Sequence, residues 1–137
     1  MVEQGLVLLI QAGLGTPPMA PGGFAVALPK DQISVLAPMA WTWGSLVAET
    51  AYCLSDHDPF TGWNVSINCH GYTMANAMAL ARAIDGVLRG GFSGVLPDSD
   101  NTFVHGIFRM GPFVDGFSDL NRSYVRTVDY LVNYDQI

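Results

Sequence analysis

Between Trp63 and His70 apolar and polar side chains alternate one by one, Trp63, Val65, Ile67 and Cys69 against Asn64, Ser66, Asn68 and His70. A strand points successive side chains to opposite faces, so this run predicts a β-strand with one apolar face. At Gly71 the period changes. Met74, Ala77, Met78, Ala81, Ile84 and Leu88 recur at helical spacing. Thr73 is placed to cap the first turn of that helix, and Gly90-Gly91 to stop the last. A second alternating run closes the chain, with Tyr124, Val128, Tyr130, Val132 and Tyr134 on one face and Thr127, Asp129 and Asn133 on the other. Arg126 is the exception on the apolar side, where its stem can lie along the sheet with its head in water.

The remaining elements are less regular. Leu6 to Ile10 reads as the buried face of a first helix, because Glu3 stands where an export signal has basic residues and the run is too short to span a bilayer. Gly13 to Gly23 (GLGTPPMAPGG) is a loop, since paired prolines and glycines sustain neither ladder nor helix. Phe24 to Leu28 predicts a short edge strand. Trp41 to Cys53 predicts a long strand with Gly44 as a bulge or bend. Gly90 to Asn101 reads as a loop, Phe103 to Met110 as a strand interrupted at Gly106, and Gly111 to Asp119 as an acidic loop. The order is helix, two or three strands, helix, two strands. The 137 residues suit a single domain spanning 1–137.

Composition changes this picture in one respect. Half of the residues are hydrophobic and 13% are charged, against roughly 25% in an ordinary soluble domain. Such a chain is expected to hide part of its surface against other chains. The net charge of −6, with six basic residues between Lys30 and Arg126, argues against a protein that grips phosphates. Cys53 and Cys69 read as free buried thiols in a cell interior.

No reaction chemistry stands out. His57, His70 and His105 with Cys53 and Cys69 contain no paired metal-ligand spacing, and Cys69 and His70 point to opposite faces of one strand. Asp98-Ser99-Asp100-Asn101 opens like a calcium loop but lacks its glycine and terminal glutamate. Gly13-Leu14-Gly15 follows a helix, where a dinucleotide fingerprint follows a strand. No serine occupies a Gly-x-Ser-x-Gly elbow. Neither a cofactor nor a metal is expected, and no membrane partner.

The wording of the second half resembles the tail-completion or tail-terminator proteins of long-tailed bacteriophages and of related prophage and gene-transfer particles. The likeness is carried by WNVSINCHGYTMANAMALARAIDGVLRG from Trp63 to Gly90, by Gly91-Phe92-Ser93-Gly94, and by YVRTVDYLVNY from Tyr124 to Tyr134. It extends over roughly Ala40 to Tyr134. The resemblance implies an α+β fold, a mainly antiparallel β-sheet with an N-terminal helix and one long central helix packed on one face. It further implies a virion protein of the tail or neck, assembled in the host cytoplasm into a homo-oligomeric ring, a hexamer. Its partners would be itself, the tail tube protein and the head–tail connector or stopper protein. DNA would pass through the ring without specific binding. A head-completion or adaptor protein on the connector side is the alternative within assembly. A small hydrolase or metal-binding enzyme with a site between strand and helix is the alternative from another class.

Ring closure needs a heterologous interface, one patch against a different patch of the neighbour. Ala75, Ala79 and Ala83 form a ridge of small side chains that could meet a second helix, or are there because alanine is the best helix former. Asp85 and Arg89 read as a solvated pair one turn apart. Trp41 and Trp43 share a strand face and are either a partner anchor or core. Asp56, Asp58, Asp98, Asp100, Asp115 and Asp119 are the acidic candidates for a channel along which DNA slides. Aspartates also populate turns because their side chains bond nearby amides.

Overall fold

The computed structural model describes residues 2–15, 22–25, 33–34, 38–45, 50–52, 60–88, 92–97, 102–119 and 122–135. The elements are α1 (Val2–Gly13), β1 (Phe24–Ala25), β2 (Met39–Ser45), β3 (Thr50–Tyr52), β4 (Phe60–Gly71), α2 (Met74–Leu88), β5 (Gly94–Val95), β6 (Phe103–Arg109), β7 (Val114–Ser118) and β8 (Ser123–Asp135). The described strands join one sheet in the order β1-β2-β4-β8-β6-β5, with β3 also on β4 and β7 also on β8. Among them only β1 against β2 is parallel. The fold is α+β, as expected.

The two strongest alternating runs of the sequence are the two central strands. β4 and β8 pair along their whole length, setting Trp63 opposite Val132, Val65 opposite Tyr130 and Ile67 opposite Val128. These six side chains are at most 1% exposed. Burying each aliphatic side chain of this set contributes roughly 1.5–3 kcal/mol. Both helices cover this face: α2 packs Ala77, Leu80, Ala81, Ile84 and Leu88 into the core, and α1 adds Leu6 and Ile10, continued by Leu14 in the turn that follows, at intervals of four residues. The Thr73 hydroxyl accepts from the Asn76 amide at 3.2 Å, which makes it the cap of α2. Gly71 permits the abrupt passage from β4 to α2: a Cβ there would stand 2.6 Å from the Thr73 carbonyl oxygen and closer still to the Ala77 amide.

Several expectations are corrected. The segment expected as one strand from Trp41 to Cys53 is present as β2 and β3, both on the same side of β4. Gly44 faces Ser66 in unbroken register, so it is no bulge. The register shifts after Ser45: four residues separate Ser45 from Thr50, whereas two separate their partners Val65 and Gly62. The loop expected from Gly90 to Asn101 contains the short strand β5. The acidic loop expected from Gly111 to Asp119 contains β7, a strand in register with the first half of β8. Asp115 and Gly116 are poor strand formers, and tertiary pairing overrides them. The interruption at Gly106 is confirmed as an irregularity of register between Val104 and Gly106.

Candidate assembly surfaces

The sheet has a helix-covered face and an opposite face, and the register decides which side chain belongs to which. Trp41 and Trp43 oppose Cys69 and Ile67 on the covered face. Trp41 is fully enclosed within the chain, so of the two candidate anchors only Trp43 reaches a surface. Trp43 packs edge-on against Trp63 at 5.9 Å and donates from Nε1 to the Gly23 carbonyl at 3.1 Å. Gln11 of α1 donates to the Gly22 carbonyl at 3.3 Å. The chain at Gly22–Gly23 is thereby held between α1 and β2. Together Val7, Leu8, Gly23 and Trp43, rimmed by Glu3 and Gln4, form a shallow apolar groove of about 430 Å³ at this end of the sheet.

On α2 the outward line consists of Ala75, Ala79, Arg82 and Gly86, while Ala83 is half-buried and packs against the core. The expected ridge is therefore split between solvent and core. Asp85 is not in a solvated pair. It is 7% exposed, accepts from the Tyr130 hydroxyl at 2.7 Å and faces Arg109 at 3.6 Å. The helix turns Asp85 onto the sheet, where it ties α2 to β8 and β6. Burial, reinforced by this carboxylate, pushes the Tyr130 hydroxyl far above the usual tyrosine range. Arg89 lies outside the described residues.

The far end of the sheet carries the β7–β8 hairpin. Arg126 does not extend its head into water: its guanidinium holds Asp115 through two bonds, Nε at 2.7 Å and Nη2 at 2.9 Å, and lies over the Phe113 ring at 4.9 Å. This fork keeps the Asp115 carboxyl below its ordinary range. Phe117 and Tyr124 make an exposed edge-on pair at 5.1 Å. Asp119 is exposed at the turn. Asp56, Asp58, Asp98 and Asp100 lie outside the described residues.

The opposite face is polar at its centre, where Thr42, Ser66 and His70 are buried. Thr127 donates to Asn68 at 2.7 Å, and His70 Nδ1 shares a 3.0 Å bond with the Ser123 hydroxyl. His70 is 6% exposed and Ser123 is fully buried; burial lowers the His70 pKa. The serine of this pair does not serve as a nucleophile, since a substrate cannot reach its hydroxyl. Cys69 is a free buried thiol pushed up to about 12 by burial; Cys53 lies outside the described residues. Among the described residues no group of three metal-ligating side chains converges, and no helix is long and apolar enough to cross a membrane. Sequence reasoning did not find the Arg126–Asp115 fork, the Asp85–Tyr130 bond or the His70–Ser123 pair, because each joins residues whose contact depends on strand register or helix packing.

No protein-family model matches the chain, and no curated protein matches it. Among solved structures, the fold is similar to a chain from the virion of a native gene transfer agent particle. The TM-score is 0.61 at 13% identity, over 98% of this chain and 94% of that one. At that identity the likeness is one of fold.

Proposed function

We propose that the chain is a non-enzymatic structural protein of a phage-like particle, a tail terminator that assembles as a homo-oligomeric ring at the head-proximal end of the tail tube. The observation that carries this reading is the near full-length likeness of fold to a chain of a gene transfer agent virion. The low content of charge supports it, because a protomer built to be covered by neighbours has little use for a charged exterior. The mechanism is capping by surface complementarity. One rim of the ring binds the last tube subunits and blocks further addition, and the other rim receives the connector or stopper protein.

The net charge of −6 suits a passage for DNA, since positive charge would hold phosphates in place. Within this reading Asp119, Asp56, Asp58, Asp98 and Asp100 are the lumen candidates. Asp115 contributes little, because Arg126 offsets its charge. Electron microscopy of particles made with and without the protein tests the role. Overlong tails without it support capping. Tails of normal length lacking heads assign it instead to a joining role on the connector side. Normal particles without it overturn both.

A further inference from the structure

Unlike β2, β4, β6 and β8, β7 places no side chain in the core. Val114, Asp115, Gly116 and Phe117 are exposed and Ser118 is half-buried. By register Val114 and Gly116 share a face with Thr127 and Val125, whereas Asp115 and Phe117 share the helix-covered face with Arg126 and Tyr124. The strand's ladder with β8 is therefore backed by little burial, and both Asp115 and Gly116 disfavour an extended chain. Among the described residues β8 is its one strand partner. What holds β7 in addition is a clamp of side chains. The ring of Phe113, directly before the strand, meets two guanidiniums, that of Arg109 from β6 at 5.1 Å and that of Arg126 from β8 at 4.9 Å. Arg109 faces Asp85 of α2 at 3.6 Å. Arg126 is gripped by both carboxylate oxygens of Asp115, at 2.7 and 2.9 Å. The Asp115 side chain is 42% exposed, so dissolved ions reach this fork and screen it.

We propose that β7 is a latch, a strand that leaves β8 as one unit, withdrawing Phe113 and Asp115 together from Arg126, while the rest of the sheet and α2 stay folded. Gly111, with φ at 131°, precedes the clamp and gives the chain a point from which to swing. Local opening of this kind belongs to segments with few buried contacts and exposed ladder bonds. The core does not open with it, because the side chains paired between β4 and β8 are covered by the helices, and the Asp85–Tyr130 bond keeps α2 on the sheet in either state. Arg109 likewise keeps its Asp85 partner when Phe113 departs. Opening bares the edge of β8 from Ser123 to Thr127, the stretch that β7 pairs when closed. Ionic strength sets the balance, since the Asp115–Arg126 fork exists in the closed state and salt weakens it there. The inference concerns a motion of the single chain and does not rest on the proposed ring.

The test is amide hydrogen exchange of the full chain, read by mass spectrometry at low and high sodium chloride and at a concentration where sedimentation shows a single species. In the parent, peptides covering 111–119 and 123–127 are expected to exchange at least about tenfold faster than those of β4 and α2, and faster again in high salt. Asp115→Asn is expected to speed exchange in the same two segments by about tenfold, to leave β4 and α2 unchanged, and to abolish the salt response, because an amide leaves no ion pair to screen. If that variant does not fold, Arg126→Lys replaces it, keeping the charge and losing the fork. A V114C/T127C chain in Cys53→Ser background carries cysteines at directly opposed positions. Its oxidation is expected to slow both segments to the rate of β4, and reduction to restore the fast exchange. Protection of 111–119 equal to that of β4 in the parent overturns the latch. So does Asp115→Asn speeding α2 and β4 as much as β7, or a salt response undiminished in that variant. The role in the particle is judged separately, by tail length in the microscope.

Discussion

Replacing Tyr130 by phenylalanine removes one oxygen from the contact between α2 and the sheet and leaves the ring in place, so no cavity opens. The lost bond is a hydroxyl donating to a carboxylate at 2.7 Å, between a tyrosine with no exposed surface and an aspartate 7% exposed. Hydrogen bonds to charged groups contribute roughly 1.5–3 kcal/mol. The larger half of that range applies here, because the carboxylate stays buried beside Arg109 at 3.6 Å and cannot recover the bond from bulk water. With a mid-range urea m-value of about 2 kcal/mol/M, a loss of about 2.5 kcal/mol moves the unfolding midpoint down by about 1 M. The assay is urea unfolding followed by far-ultraviolet circular dichroism, at two protein concentrations so that association does not contribute. A cycle with Asp85→Leu completes it. Once Asp85 is gone, Tyr130→Phe is expected to cost less than about 0.5 kcal/mol, so the coupling energy equals most of the single-variant effect. Equal losses from Tyr130→Phe in the presence and absence of Asp85 would show that the carboxylate does not hold α2 to the sheet through this hydroxyl.

Three further outcomes follow from burial. Gly22→Ala sets a methyl group into the indole of Trp41, so it is expected to destabilise by about 1–3 kcal/mol and to shift tryptophan emission; an unchanged urea midpoint contradicts the close packing. His70 has its pKa lowered by burial, so the folded chain takes up this proton at lower pH than the unfolded chain, which does so as pH falls through about 6.5. Stability therefore declines as pH drops from 7.5 to 5.5, by at most about 1.4 kcal/mol per unit from this group, and His70→Gln is expected to flatten that decline in pH-dependent thermal melts; identical slopes refute it. Cys69, with its thiol pushed up to about 12, is expected to resist Ellman's reagent at pH 8 in a Cys53→Ser chain and to react once urea unfolds it. Labelling of the folded protein at the rate of a free thiol counts against its burial.

Several parts of the fold were legible because each residue's own element carried the signal. In β4 and β8 every second side chain is apolar over many residues, and in α2 the apolar residues fall on one side, so each element announces its type and its inward face without reference to its neighbours. The Thr73 cap and the Gly106 irregularity were legible for the same reason. The candidate surfaces were less so. Trp41 and Trp43 look alike in sequence, and only the position of α1 and Gly22–Gly23 above them encloses the first and leaves the second at a groove. Asp85 has the sequence context of a surface charge, and the packing angle of α2 turns it onto Tyr130.

From the amino-acid order alone came the helix–strand sequence, the inward faces of β4, α2 and β8, the scarcity of charge and the lack of any reaction motif. The tertiary structure decided that Gly111 to Asp119 contains a strand, that Arg126 is held by Asp115 over Phe113, and that Trp41 is enclosed while Trp43 reaches a groove. Periodicity reports how one element meets the core, whereas pairing between residues far apart in the chain depends on strand register and helix placement, which the whole fold sets at once.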